Sequence, residues 1–398
     1  MNNEYGVGAG TARAAVTLAA LLALGAVTTP SAQAQTFTDL YNFTGGSDGR
    51  NPYAGLVRDS AGNLYGTTFY GGSGYGVVFK VDTSGQETAL YSFAGGTTDG
   101  CYPSSDLLRD KSGNLYGTTQ SCGSSGYGVV FKVDTTGKEK VLHSFAGGTT
   151  DGCGPFGGLV ADKLENVYGT TNACGAGGQG GYGTVFKLTK EGRESLLYSF
   201  QGTPDGANPT YGDLLIDKIG NLYGVTYLGG NAGQGTVFKL SNAGTETVLY
   251  SFQGGGSDGC GPMGTVTGKS GNLYGTTTSC GSGGLFLGIV WKLSKQGEEV
   301  LHTFTGSASD GGYPHAGVIL DADGNLYGDS EEGGAHGQGT VYELSQGGTI
   351  TLLHSFAGRP TDGSAPFGGL LRDQSGNLYG TTQTGGSDNY GTVWSLTP

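Results

Sequence analysis

The sequence predicts an all-β protein: a seven-bladed β-propeller of four-stranded blades, closed by pairing of the N-terminal strand with the C-terminal blade. Three observations predict it. One unit of about 52 residues recurs seven times. Each unit holds four short apolar runs bounded by turn residues. The phase of the repeat also leaves one orphan strand at the start of the repeated region and one missing strand at its end.

The anchor of the unit is G-N-L-Y-G, at Gly62–Gly66, Gly113–Gly117, Gly220–Gly224, Gly271–Gly275, Gly324–Gly328 and Gly376–Gly380, with a variant, ENVYG, at Glu165–Gly169. Neighbouring anchors lie 51 to 55 residues apart. In the last unit the runs are LLHSF (Leu352–Phe356), GLLRD (Gly369–Asp373), NLYGTT (Asn377–Thr382) and GTVWSL (Gly391–Leu396). Val, Tyr, Phe, Thr and Leu in such short runs read as strands, and recurrent glycine opposes helix. Twenty-eight strands in one open sheet would expose long edges, whereas radial repetition of four-stranded sheets avoids this. A solenoid needs atypical capping repeats, yet the first unit (GNLYGTTFYGG) and the last (GNLYGTTQTGG) are as regular as the others. TDLYNF (Thr38–Phe43) matches the LYSF run of other units, so the residues predict that it completes the blade of residues 369–396.

Upstream of the repeats, Arg13, the apolar run Ala14–Val27 and AQA at Ala32–Ala34 read as a secretory signal peptide over residues 1–34, cleaved before Gln35. Residues 35–398 are then a single seven-repeat domain. The apolar run is short for a membrane span, and no later segment is apolar enough for one. The net charge of −13 opposes nucleic acid and anionic lipid as partners. An exported chain of this kind is periplasmic, secreted or at the cell surface, and is expected to be a monomer.

The six cysteines occur in three units only, always as DGC before the anchor and CG after it. The other units lack both members: Arg50, Ala207, Gly312 and Ser364 stand upstream, and glycines such as Gly71 and Gly385 stand downstream. This paired presence and absence selects Cys101–Cys122, Cys153–Cys174 and Cys260–Cys280 from the 15 pairings open to six cysteines. Export permits the chemistry. The bridges join the loop entering each inner strand to the loop after NLYGTT. They therefore place the long variable loops on one face, the usual place for function. Tight turns such as RDSAGN (Arg58–Asn63) and VDTSGQ (Val81–Gln86) fall on the other.

Residues repeated in every unit most simply serve the fold. The Asp of each D-G pair (Asp48, Asp99, Asp151, Asp205, Asp258, Asp310, Asp362) suits a side-chain-stabilised turn. The outer-strand position Tyr41, Tyr91, His143, Tyr198, Tyr250, His302 and His354 suits packing with a polar tip. G-x-S-x-G at Gly45–Gly49 and Gly255–Gly259 falls in the D-G loop, not at a strand-to-helix elbow. G-x-G-x-x-G at Gly178–Gly183 has no helix after it.

The sixth unit breaks the symmetry. NLYGTT becomes NLYGDSEE, with Asp329, Glu331 and Glu332; His336 follows in the same loop, and His315 follows Pro314. With Asp310 these residues are expected on the long-loop face of one blade. Carboxylates with imidazoles suit a divalent metal, a ligand or acid–base chemistry, and drift of a solvated loop is the plain alternative. LFLG (Leu285–Gly288) puts apolar side chains into the loop of unit five, as a contact surface or a filler between loops.

The extended unit LYSFxGGxxDGxxPxxGLLxDxxGNLYGTTxxGGxxGxGTVFKL resembles the GloVer tandem repeat of exported bacterial proteins throughout residues 35–398. The resemblance implies a propeller-like architecture and a secreted or cell-surface setting, and it supplies no catalytic residues. Three functional classes stay open. The favoured one is a non-enzymatic binding or interaction module for an extracellular glycan, small molecule or protein. The others are a propeller lyase or hydrolase with its site on the sixth blade, and a purely structural extracellular protein.

Overall fold

The computed structural model describes residues 35–397 apart from Tyr211, Ser257 and residues 283–285. The expected signal peptide lies outside the described residues, as does Leu285 of the LFLG loop. The chain forms seven antiparallel four-stranded sheets arranged as a seven-bladed β-propeller.

Blade 1 runs from the axis outward as Val57–Arg58, Leu64–Thr68, Val77–Val81 and Glu87–Ser92. Blades 3, 4 and 6 repeat this order, and blade 2 does so with an added short strand, Gly100–Pro103, paired to the end of its second strand. In blade 5 the two inner strands extend into one long hairpin, Gly259–Lys269 with Asn272–Cys280. Blade 7 consists of Leu371–Arg372, Leu378–Thr382, Thr392–Thr397 and, as its outer strand, Thr36–Asn42. Thr36 pairs with Thr397 and Asn42 with Thr392, so the two ends of the ring share one sheet, as the repeat phase predicts.

The anchor motif is explained by its neighbours. In blade 1, Asp59 Oδ1 accepts from the backbone N–H groups of Ala61 and Asn63, while Oδ2 accepts from Asn63 Nδ2 and the Tyr65 hydroxyl. The turn, the Asn and the Tyr of NLY thus form one unit, repeated around Asp110, Asp162, Asp217, Asp321 and Asp373. Gly268 replaces this Asp in blade 5, the blade whose hairpin is extended instead. The glycine of NLYG faces the aromatic ring of the third strand: a Cβ on Gly66 would lie 2.7 Å from the Phe79 ring. Each blade repeats this pair, with Phe131, Phe186, Phe238, Trp291, Tyr342 and Trp394 as the ring.

The same ring holds adjacent blades together. The Phe of each LYSF run meets it edge-on, as Phe43–Phe79 (5.1 Å), Phe93–Phe131 (5.0 Å), Phe145–Phe186 (5.2 Å), Phe200–Phe238 (5.1 Å) and Phe304–Tyr342 (5.3 Å). All these side chains are fully buried. Edge-to-face contacts add to the burial of apolar area. The core is therefore seven clusters in the seams between blades rather than one central mass.

The two repeated polar positions turn out to be partners. Tyr41, Tyr91, Tyr198 and Tyr250 donate their hydroxyls to Asp48, Asp99, Asp205 and Asp258. In the remaining seams His143, His302 and His354 contact Asp151, Asp310 and Asp362 through Nε2. Each Asp also accepts backbone N–H groups, such as Ala94 N and Gly100 N on Asp99. Tyr and His interchange here because both present a ring with a polar tip to the same carboxylate.

The three disulfides are Cys101–Cys122, Cys153–Cys174 and Cys260–Cys280, with Cα atoms 5.3, 5.3 and 5.4 Å apart. They reinforce a ladder that the cysteine-free blades also have, such as Gly311–Gly312 with Glu332–Gly333. This ladder places the D-G loops and the post-anchor loops on one face. Among the described residues no helix is long and apolar enough to cross a membrane.

Candidate functional site

A cavity of about 270 Å³ lies on the propeller axis, walled by the segments between the Pro and the Leu of each inner strand. That segment is glycine-rich in most blades: Gly158, Gly317 and Gly369 occupy the axial position just before the apolar residue. In blades 2 and 4 the position holds Asp106 and Asp213. Gly55 N of the preceding blade donates to Asp106 Oδ1 at 2.6 Å. Asp213 accepts in the same way from the backbone of Gly158. Both carboxylates keep some accessible surface, yet both lie deep among protein atoms; that surface is the cavity wall. Burial raises the Asp106 carboxyl above the usual carboxylate range. Burial, then the negative charge of Asp106, raises Asp213 well above it.

Aromatic rings surround one side of the mouth. Tyr53 and Phe367 line the cavity and meet edge-on at 5.4 Å. Tyr53 touches Phe69 (5.1 Å), and Phe69 stacks on Tyr102 (5.1 Å), which contacts Tyr70 and Tyr75. The Arg50 guanidinium lies 5.2 Å over the Tyr70 ring. On the other side His315 stacks on Phe367 at 4.3 Å. The arc thus spans blades 6, 7, 1 and 2 on the long-loop face, and its rings are half-buried, with Tyr75 the most open.

Of the six sequence-selected residues, the fold brings two together: His315 Nε2 meets Glu331 Oε2 at 2.7 Å. The hydrogen bond from His315, opposed by burial and supported by the imidazole charge, lowers the Glu331 carboxyl. His315 Nδ1 is buried without a hydrogen-bond partner, so neither ring nitrogen is presented as a free base to the cavity. Asp310 belongs to the seam pair with His302. Burial alone would raise it, but bonds from His302, Thr305 and Gly311 N outweigh this and lower it. Glu332 pairs with Gly312 in the short ladder and is exposed, and His336 is exposed beyond it.

Asp329 points the other way. It takes the position of Thr118, Thr276 and Thr381, whose hydroxyls donate to carbonyls of the next blade: Gly157, Ala316 and Ala54. Asp329 is 1% exposed, and neither carboxylate oxygen has a hydrogen-bond partner beyond its own backbone N–H. Burial raises its pKa to about 7, assisted by the charge of Asp106.

Among the described residues, His143, Asp151 and Glu194 form a group of potential metal ligands within 4.8 Å of one another. Two of them are a seam pair like those in other blades, and Glu194 stands where other seams have Glu87, Glu139, Glu246 and Glu298. The repeat therefore accounts for this group without an ion.

Sequence reasoning singled out blade 6 and passed over Asp106 and Asp213. The signal was present: PSSDLLRD and YGDLLID put an acid where PYAGLVRD and PFGGLLRD have glycine. Its meaning depends on that position facing the axis, which only the fold shows.

The chain belongs to the Gloeobacter/Verrucomicrobia repeat family, whose sequence profile matches residues 20–181 and 173–394. No curated protein matches it. Among solved structures it is similar to the extracellular domain of a hybrid two-component system from B. thetaiotaomicron, at 12% identity and a TM-score of 0.55, covering 91% of this chain and 41% of that one. It is similar to the extracellular domain of a one-component system from the same organism, at 10% identity and a TM-score of 0.56, covering 90% and 39%. The chain thus spans about two fifths of each. A gluconolactonase from Xanthomonas campestris aligns at 15% identity with a TM-score of 0.43, over 77% and 87%. At these identities the likeness is one of fold.

Proposed function

We propose that residues 1–34 direct export and that residues 35–398 act as a single-domain, non-enzymatic binding module whose ligand, an extracellular saccharide, seats at the mouth of the axial cavity. The continuous aromatic arc from His315 through Phe367, Tyr53 and Phe69 to Tyr102 carries this reading. Such rings offer flat apolar faces, while hydroxyls and carboxylates border them. That combination suits a ligand with C–H faces and hydroxyl edges. The three disulfides and the extracellular setting of the similar propeller domains accord with export.

The blocked nitrogens of His315 argue against acid–base catalysis at this mouth, because a general base must present a lone pair to its substrate. The test is a glycan-array screen, followed by titration of hits against Tyr53→Ala and Phe69→Ala. A saccharide whose affinity falls roughly tenfold or more on removal of either ring supports the reading. A screen without hits, or hits indifferent to both substitutions, overturns it.

A further inference from the structure

The axial cavity confines negative charge without a visible counter-charge: among the described residues no Lys, Arg or His lines it, while Asp106 and Asp213 both open into it. Each receives a backbone N–H from the preceding blade, which neutralises only part of a carboxylate. A separate observation points the same way. Asp329 is almost wholly buried, with no partner for its oxygens beyond its own backbone N–H. Asp329 holds the register of Thr276 and Thr381, which donate to Ala316 O and Ala54 O, and the corresponding residue of the next blade is Gly368, in the cavity wall. An ionised carboxylate cannot donate at this register as the threonines do, so its charge calls for a proton or a nearby cation.

We propose that the axial cavity binds one hydrated calcium-class divalent cation, held by Asp106 and Asp213, with Asp329 supplying a third negative charge from behind the wall. The donors are all oxygen: two carboxylates and backbone carbonyls of the inner segments, the Ser104 and Ser105 hydroxyls being engaged already by Gln120 Nε2 and Thr118. Hard oxygen donors without His or Cys select calcium or magnesium over zinc or copper. A cavity of about 270 Å³ is much larger than a bare ion, so water completes the coordination shell, and calcium's flexible geometry tolerates such a mixed set. The ion occupies the axis rather than the sixth-blade loop where sequence symmetry alone would look for a metal. The inference does not rest on the saccharide reading.

The experiment is calorimetric titration of CaCl2, and separately MgCl2, into protein stripped with chelator and returned to chelator-free buffer at pH 7.5. Melting curves are recorded with and without calcium. The expected result is uptake of one ion per chain with an upward shift of the melt. Uptake is lost in the Asp106→Asn/Asp213→Asn double variant and kept in Tyr53→Ala. In chelator the double variant melts at or above the wild type, because buried charge has been removed. No uptake of either ion by the wild type, or undiminished uptake by the double variant, overturns the proposal. Should the double variant not fold, the wild type alone decides. Its calcium affinity falls by roughly tenfold or more from pH 7.5 to pH 5 if carboxylates are the ligands, and an unchanged affinity overturns the assignment.

Discussion

Thr38 of the first strand lies opposite Ser395 of the last, and the antiparallel pairing runs from Thr36 against Thr397 to Asn42 against Thr392, with a one-residue bulge between Asp39 and Tyr41. The N-terminal strand is also followed by Phe43, which packs edge-on against Phe79 of blade 1. The strand therefore completes one blade, and the residue after it fastens the next. Deleting residues 35–44 is expected to remove both contacts and lower the denaturant midpoint severely. Phe43→Ala alone is expected to cost about 3–5 kcal/mol. An unchanged midpoint in the deletion would refute closure by this strand.

The seam pairs give a graded prediction. Tyr91 donates to Asp99 Oδ2 at 2.9 Å, and the same oxygen accepts from Ala94 N at 2.7 Å. Tyr91→Phe removes one bond to a carboxylate and is expected to cost about 1.5–3 kcal/mol. Asp99→Ala strands the tyrosine hydroxyl and the backbone donors together, and should cost more. Urea unfolding of both variants checks the order.

The seams also predict an unusual pH profile. Glu87, Glu139, Glu246 and Glu298 each begin an outer strand beside a seam Asp. Burial, followed by the charge of Asp48, Asp99, Asp205 or Asp258, raises each to about 7. A carboxyl raised in the folded state keeps its proton better folded than unfolded. Its ionisation penalty is absent below the ordinary value of 4.5 and grows as pH rises through 7. Asp151 and Asp310 are lowered instead, so their contribution is present above 3.8 and is lost on further acidification. The melting temperature is therefore expected to peak near pH 5 and to decline toward pH 7.5. Replacing the four glutamates by glutamine should flatten that decline, and a melt that rises steadily to pH 7.5 would contradict it.

Asp329 bears on why the sixth unit departs from the repeat. Asp329→Thr restores the hydroxyl that in blades 5 and 7 donates to a carbonyl of the next blade. In calcium-free buffer at pH 7.5 this variant is expected to be more stable than the wild type by about 2 kcal/mol, since a buried carboxylate without a partner is costly. The gain should shrink at pH 5, where the group with pKa about 7 is already neutral. Chemical unfolding at the two pH values tests both signs.

One repeat departs from the glycine rule. Glu165 has φ 64° where Gly62, Gly113 and Gly376 have 95°, 89° and 92°. A left-handed conformation costs a residue with a Cβ about 1–2 kcal/mol. The exposed Lys190–Glu165 ion pair returns little of this. Glu165→Gly is expected to stabilise the protein by about 1 kcal/mol, measured by the unfolding midpoint.

The sequence by itself determined the blade count, the four-strand unit, the ring closure and the three disulfides. Each is a local or periodic property: strand runs are set by β-branched and aromatic residues, closure by the phase of the repeat, and disulfide pairing by cysteines that appear and vanish together. Tertiary structure decided which polar residues meet. Tyr91 and Asp99 read as two independent structural positions until the outer strand and the next turn are folded against each other. Of the acids and imidazoles around Gly328, only His315 and Glu331 came together. Strand alternation sends Asp329 into the seam and leaves Glu332 on the ladder facing solvent. Asp106 and Asp213, more than a hundred residues apart in the chain, became neighbours in charge because radial packing brings every inner strand to one axis.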